Sequence, residues 1–404
     1  MLVRLAISRL PPSHLPRCYN LRHILLFNRR SPTSRTPITT PREAAVIQQE
    51  RLVKTFCDIV RIDSPSGEEE AVAQDLARRL KAWGFTILRD AHGNLIANEP
   101  GDNPLLLSAH MDTVEPGRGV KPRVVEGRII SDGATILGGD CKAGLAAILE
   151  ALESLHEERK KRRPAQLVFT RGEELGLVGA KYLDMSMLKA KEGVVFDGNG
   201  PVSKITTASP TYMSLDVKVT GRAAHAGVEP EKGLSAIRIA SDIITSLPQG
   251  RLDQETTFNV GTIKGGNVRN TVPDNAVFVG EFRSRNVETL DLLRLQTLEV
   301  IDKARKKYRD AKIEDELKVE FQMYALSPDD PMVARTTKLL TGIGLRPDPG
   351  PSGGGTDANV LNREGIKCVV VGMSTNEMHT VREHVYIKDL VDTARFCREL
   401  LVQR

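Results

Sequence analysis

Residues 105–114 read LLLSAHMDTV. The run Leu105 to Ala109 is short, continuous and apolar, which predicts a strand buried on both faces. It passes directly into His110 and Asp112, so polar side chains stand at its carboxyl end. Outward from it the same pattern repeats. Phe85 to Leu88 and Asn94 to Ala97 read as a strand pair, Ala143 to His156 as a helix, and Gln166 to Thr170 and Val194 to Phe196 as further buried strands. Upstream, the apolar stripe of Ile47 to Val60 predicts a helix, and Ser66 with Glu68, Glu69 and Glu70 starts a second one that Gly84 ends. Short apolar strands separated by helices imply an α/β fold, a mostly parallel sheet with helices on both faces. Polar groups in such sheets collect past the carboxyl ends of the strands.

From Thr207 to Gln322 the order becomes strand, helix, strand, strand, helix, strand. That is the split order of a ferredoxin-like α+β unit. It reads as an insertion at 207–322 between the two parts of the main domain, 43–206 and 323–404, because the main pattern resumes with Ala334 to Gly342 and Cys368 to Gly372.

The chain has 404 residues and a formal net charge of +5. Residues 1–42 hold eight arginines and no acid, which leaves the remainder slightly acidic. Two readings of this segment stand: an organelle transit peptide, or a disordered extension outside any domain. With the positive charge confined there, and no interleaving of aromatic and basic residues, nucleic-acid binding loses its support. No apolar run reaches the roughly 18 residues of a membrane span. Five scattered cysteines with no C-x-x-C pair argue against a disulfide framework and for a reducing, cytoplasmic setting.

His110 and Asp112 stand at i and i+2 after the first strand, so their side chains point the same way. Asp140, in LGGDCKAG, opens the helix that follows; an Asp there is commonly a cap, but the neighbouring glycines leave it free to reach a shared site. Glu173 and Glu174 follow the strand Gln166 to Thr170. Paired acids are common on surfaces, yet these lie between a buried strand and a Gly-rich turn, where one can hold metal while its neighbour acts as a base. Asp197 closes Val194 to Phe196, and His379 follows Cys368 to Gly372. Together His110, Asp140, Glu174, Asp197 and His379 supply two nitrogens and three carboxylates, a set suited to two divalent ions. The absence of thiolate ligands favours a hydrolytic centre.

The ordered motifs SAHMDTV, LGGDCKAG, RGEELGLVGA, FDGNG, AAHAG, GGTDAN and EMHT resemble the two-zinc exopeptidase superfamily, most closely its peptidase T-like tripeptidases, with carboxypeptidase G and aminoacylase as further relatives. The resemblance spans residues 47–404. It implies two divalent ions, zinc with cobalt or manganese as substitutes. Asp140 would bridge them, His110 and Asp197 would complete one site, and Glu174 and His379 the other. Glu173 matches the general base and Asp112 the partner of His110. His225 matches a histidine that reaches across a homodimer to steady an oxyanion. Asn270, Arg283, Gly354 and Asp357 match substrate-holding positions, and the insert matches a lid and dimerisation domain.

The resemblance further implies hydrolysis of small peptides by release of the N-terminal residue of tripeptides. The alternatives are an N-acyl-amino-acid deacylase or carboxypeptidase of the same superfamily and, more remotely, a non-catalytic binding protein. Two departures stand out. Cys141 occupies a position where peptidase T-like sequences usually carry a second Asp. Asp197 stands where some relatives carry Glu, a choice that accompanies aminopeptidases and dipeptidases more than carboxypeptidases.

Overall fold

The structure is a computed structural model that describes residues 47–402; the expectation for residues 1–42 lies outside them. The main sheet has nine strands. Its centre runs Ala165–Thr170, Leu105–His110, Glu192–Gly198 and Lys367–Gly372, all parallel to one another. Every residue of Leu105–His110 and of Ala165–Thr170 is buried. Successive side chains alternate between faces, so complete burial means that both faces are covered, as the unbroken apolar runs demand. The helix Gly139–Glu157 packs on Leu105–His110 and Glu192–Gly198 and against the helices Gln49–Val60 and Ile387–Val402.

Further strands flank this centre, paired antiparallel except Asp348–Pro351, which runs parallel to Lys204–Ser209. Thr86–Arg89 and Leu95–Asn98 extend one side, and Lys204–Ser209, Tyr324–Ala325 and Asp348–Pro351 the other. Lys204–Ser209 pairs with Lys367–Gly372, so the expected boundary at 206/207 falls inside a main-sheet strand. The break comes at Pro210, whose missing N–H ends that strand before Thr211–Thr220 begins the second sheet.

The second sheet orders Gly250–Arg251, Thr256–Gly265, Asn275–Ser284, Thr211–Thr220 and Lys312–Phe321, all antiparallel. The helices Ala236–Ser246 and Val287–Lys307 fall between its strands in the split order read from the sequence. Along Thr211–Thr220 and Asn275–Ser284 buried and exposed residues alternate. One face therefore packs into a separate core, which includes Leu215, Val217, Ile239, Ile243, Phe278, Phe282 and Ile301.

The insert joins the main sheet through two neighbouring segments. Ser209 pairs with Tyr324, and the Met323 backbone N–H donates to Thr211 Oγ1 at 2.9 Å. A small cluster of Leu177, Ala180 and Phe321, with Tyr212 and Val360 against it, braces the junction. Phe321 packs so closely on the loop at Gly355 that a Cβ there would lie 2.1 Å from its ring.

A separate four-stranded sheet, Thr375–Asn376, His384–Tyr386, Arg128–Ile130 and Arg123–Val125, frames the loop that carries His379. Cys57, Cys141, Cys368 and Cys397 are free. Among the described residues, no helix is long and apolar enough to cross a membrane.

Candidate metal centre

Three adjacent parallel strands deliver most of the site at their carboxyl ends. His110 is the last residue of the central one and is buried. Glu173 and Glu174 lie in the short 3₁₀ turn just beyond Ala165–Thr170, after Gly172 at φ 59°. Asp197 lies near the end of Glu192–Gly198. Asp140 comes from the start of the helix Gly139–Glu157, where its own φ and ψ, −81° and 108°, are not helical. This frees its carboxylate from capping. His379 reaches in from its loop with φ 62° and a half-exposed side chain.

The Asp140 carboxylate sits between the two imidazoles. Its Oδ1 is 3.1 Å from His110 Nε2, and its Oδ2 is 3.2 Å from His379 Nε2. Asp197 Oδ1 lies 3.6 Å from His110 Nε2, and Glu174 Oε1 lies 3.1 Å from His379 Nε2. The donors thus form overlapping groups, two of which share Asp140: His110, Asp140 and Asp197; Asp140, Glu174 and His379; and His110, Glu173 and Glu174, each with its ligand atoms within 4.8 Å of one another.

The electrostatics fit a cation. Burial, reinforced by the Asp197, Asp357 and Glu174 carboxylates, pushes the Glu173 carboxyl well above its ordinary range, against the pull of His110. Burial likewise raises Asp197, with the neighbouring Asp140 and Asp357 carboxylates adding to it. Asp140 goes the other way: burial would raise it, but the two imidazoles bonded to it outweigh that and hold it below the usual carboxylate range. Bonds to Asp140 and Glu174 raise His379 to about 10. Glu174 Oε1 is buried and makes no well-aligned hydrogen bond, although His379 Nε2 stands 3.1 Å away. A pocket of crowded carboxylates with an unsatisfied oxygen and two imidazole nitrogens suits divalent ions. Cys141 also borders the first group. Its thiol, held protonated by burial, donates to the Phe196 carbonyl at 2.7 Å instead.

Asp112 holds the scaffold from behind. His110 Nδ1 meets the Asp112 backbone carbonyl at 2.9 Å, nearer than the carboxylate at 3.4 Å. The carboxylate instead accepts the backbone N–H groups of Glu173 and Glu174, at 3.0 and 3.2 Å, and the Ser66 hydroxyl at 2.6 Å. Ser66 was expected to begin a helix. That helix starts at Glu70, and the Ser66 side chain serves the site. Glu69, fully buried, accepts from Gly172 N at 3.0 Å and from Arg171 Nε at 2.7 Å. The turn bearing Glu173 is therefore pinned on two sides.

Beside the cluster lies a cavity of about 320 Å³ lined by Asp140, Glu173, Glu174, Asp197, Arg283, Gly354 and His379, among others. Arg283, from the insert, closes one wall. Its Nε and Nη2 bind Glu281 at 3.2 and 2.7 Å, and its guanidinium lies 4.5 Å over the Tyr212 ring. Gly354 offers its carbonyl to Ser209 Oγ at 2.8 Å.

The remaining expected residues, Asp357, His225 and Asn270, lie elsewhere. Asp357 is buried, its carboxylate accepting from Thr170 Oγ1 behind Glu173, and does not line the cavity. His225 is exposed on the insert beside Asn270, whose carbonyl accepts the Ala226 N–H at 3.0 Å; neither lines the cavity of its own chain. Thr206, Ser209 and Tyr324 do line it. They come from main-sheet strands that carry no motif and were not anticipated.

A model described as peptidase family M20/M25/M40 matches residues 106–403. The uncharacterized protein YqjE of Bacillus subtilis is 37% identical over 360 residues, 86% of this chain and 97% of that protein. Among solved structures, aminopeptidase PepT from Bacillus cereus is 36% identical with a TM-score of 0.79, covering 88% of this chain and 99% of that one. A tripeptidase from Staphylococcus aureus is 33% identical with a TM-score of 0.83, covering 88% and 98%.

Proposed function

Since the chain belongs to peptidase family M20/M25/M40, as a metallopeptidase of the peptidase T-like kind, we propose that it is an aminopeptidase that releases the N-terminal residue of tripeptides. The observation that carries this reading is the pair of donor groups sharing Asp140, with Glu173 beside them and a small cavity lined by an arginine. The likeness to an aminopeptidase and a tripeptidase at 33 to 36% identity supports it.

In this reading His110, Asp140 and Asp197 would hold one ion and Asp140, Glu174 and His379 the other, with zinc the expected metal and cobalt or manganese its alternatives. The ions supply Lewis acidity toward a peptide carbonyl and toward water. Glu173 removes a proton from the attacking water. As the water oxygen bonds to the carbonyl carbon and the C–N bond breaks, Glu173 returns that proton to the leaving amine. Asp112 fixes the backbone that presents Glu173 and the tautomer of His110. Arg283 receives the peptide's terminal carboxylate, with Gly354 shaping the wall beside it.

The deciding experiment follows amino-acid release from di-, tri- and tetrapeptides, each beside its N-acetylated form, by the zinc- or cobalt-loaded chain. Release of the first residue from free-amine tripeptides is expected. Turnover of the acetylated set alone would replace this reading with that of a deacylase.

If Arg283 binds a carboxylate, Arg283→Lys loses the planar fork. We expect KM for tripeptides to rise roughly 10- to 100-fold, the worth of a charge-assisted pair, with kcat little changed. C-terminally amidated peptides should show almost no difference, and an equal rise for them would reject the assignment.

His225 has its role in a homodimer, reaching the partner's cavity. His225→Ala and Glu173→Gln, each strongly impaired alone, should regain turnover when refolded together, because one site of the mixed dimer then has both groups intact. Absence of complementation in a mixture shown to be dimeric would place His225 outside the reaction.

A further inference from the structure

The helix Gly139–Glu157 begins without a local cap: the preceding residue is Gly138, with φ 74° and no side chain to offer. The backbone around Asp140 and Cys141 is not helical, and the N–H groups of Gly138 and Asp140 need partners in this buried setting. They are taken by Glu383, more than 240 residues away along the chain. The Glu383 carboxylate is 1% exposed and accepts from Gly138 N at 2.7 Å and from Asp140 N at 3.0 Å.

Resting on the two-ion reading above, we propose that Glu383 is a positioning residue that sets the spacing between the two ion sites, by fastening the segment that carries His379 to the backbone of the bridging Asp140. Glu383 lies four residues after His379, and its own N–H donates to the Thr380 carbonyl at 3.0 Å. The loop between them is closed at its base by the pairing of Thr375–Asn376 with His384–Tyr386. A second contact holds the same two segments together: a Cβ on Gly139 would meet Thr375 Oγ1 and Val385 Cγ2 at 3.0 Å. The Asp140 backbone is therefore gripped on one side by a carboxylate and on the other by close packing, both from the strand pair that presents His379.

The grip bears on the centre because Asp140 has no slack. Each of its oxygens faces a different imidazole, at 3.1 and 3.2 Å, whereas metal–ligand distances tolerate only about 0.2 Å. In Glu383→Gln the side chain keeps its shape, but its amide N–H₂ is set against a backbone N–H, donor against donor, and one tether is lost.

The test is titration of the metal-free full chain with Co²⁺, read by visible absorption and by competition with a chelator. Glu383→Gln should bind the second equivalent about 10- to 100-fold more weakly, the usual cost of losing an outer partner of a metal site, with an altered absorption band. Glu150→Gln is the control. Glu150 is buried in the same helix and paired with Arg51 at 2.7 Å, remote from the cluster, so its loss should destabilise the fold and leave the cobalt titration unchanged. A wild-type titration and spectrum for Glu383→Gln, or an equal weakening in Glu150→Gln, would overturn the inference. If the parent chain takes up two equivalents and Glu383→Gln takes them up with the parent's affinity and spectrum, only the role of Glu383 falls. A parent chain that binds no cobalt would overturn the two-ion reading and this inference together.

Discussion

Glu173→Gln is expected to hydrolyse tripeptides about 1,000-fold more slowly than the parent chain, within the range for loss of a general acid–base, while retaining its full complement of metal. The two halves of this result come from different features. Glu173 is not needed to complete either donor group that shares Asp140, so its amide should leave the ions in place. Its backbone N–H is fixed to Asp112, so the substituted side chain stays where the carboxylate was. What disappears is the ability to accept a proton and give it back. Elemental analysis of the purified variant beside steady-state rates separates the halves. Turnover near the parent value would remove Glu173 as the base, and loss of an ion would recast it as a ligand.

Asp140→Asn should be the more damaging change. Each carboxylate oxygen addresses one imidazole and one donor group, and an amide can offer an oxygen to only one of them while turning N–H₂ toward the other. At least one ion should be lost and activity should fall below detection, with metal content per chain as the direct readout. Because two protonatable imidazoles would then sit among Glu173, Glu174 and Asp197 without the shared acceptor, thermal stability should fall as well. A variant that keeps two ions and measurable turnover would disprove the bridging assignment.

Much of this centre is legible in the sequence. His110, Glu173, Glu174 and Asp197 each stand at or just past the end of a short apolar run, and such a run has one favourable fate, a strand covered on both faces. The insert was legible for a similar reason, since period-two alternation in Met213 to Val219 requires one covered face. Where local pattern weakens, the reading weakens too. Lys204–Ser209 is Thr-rich and only partly buried, Asp348–Pro351 contains two prolines, and both were missed as strands. Ser66 looked like a helix start because a hydroxyl before three acids favours one, yet the Asp112 carboxylate is a stronger partner. Asp357 sits in a substrate-loop motif, but its position at the first turn of a buried helix turns it toward Thr170. Glu383 left no local trace: its partners are backbone N–H groups, which look alike at every position of a sequence.

The join between the two sheets has a consequence of another kind. The chain leaves the main sheet at Ser209 and returns at Tyr324, and these residues are paired neighbours, about 5 Å apart as adjacent strands are. A turn of a few residues could close that gap. The strands that carry the metal donors pair with one another away from this junction, so their register does not run through the insert.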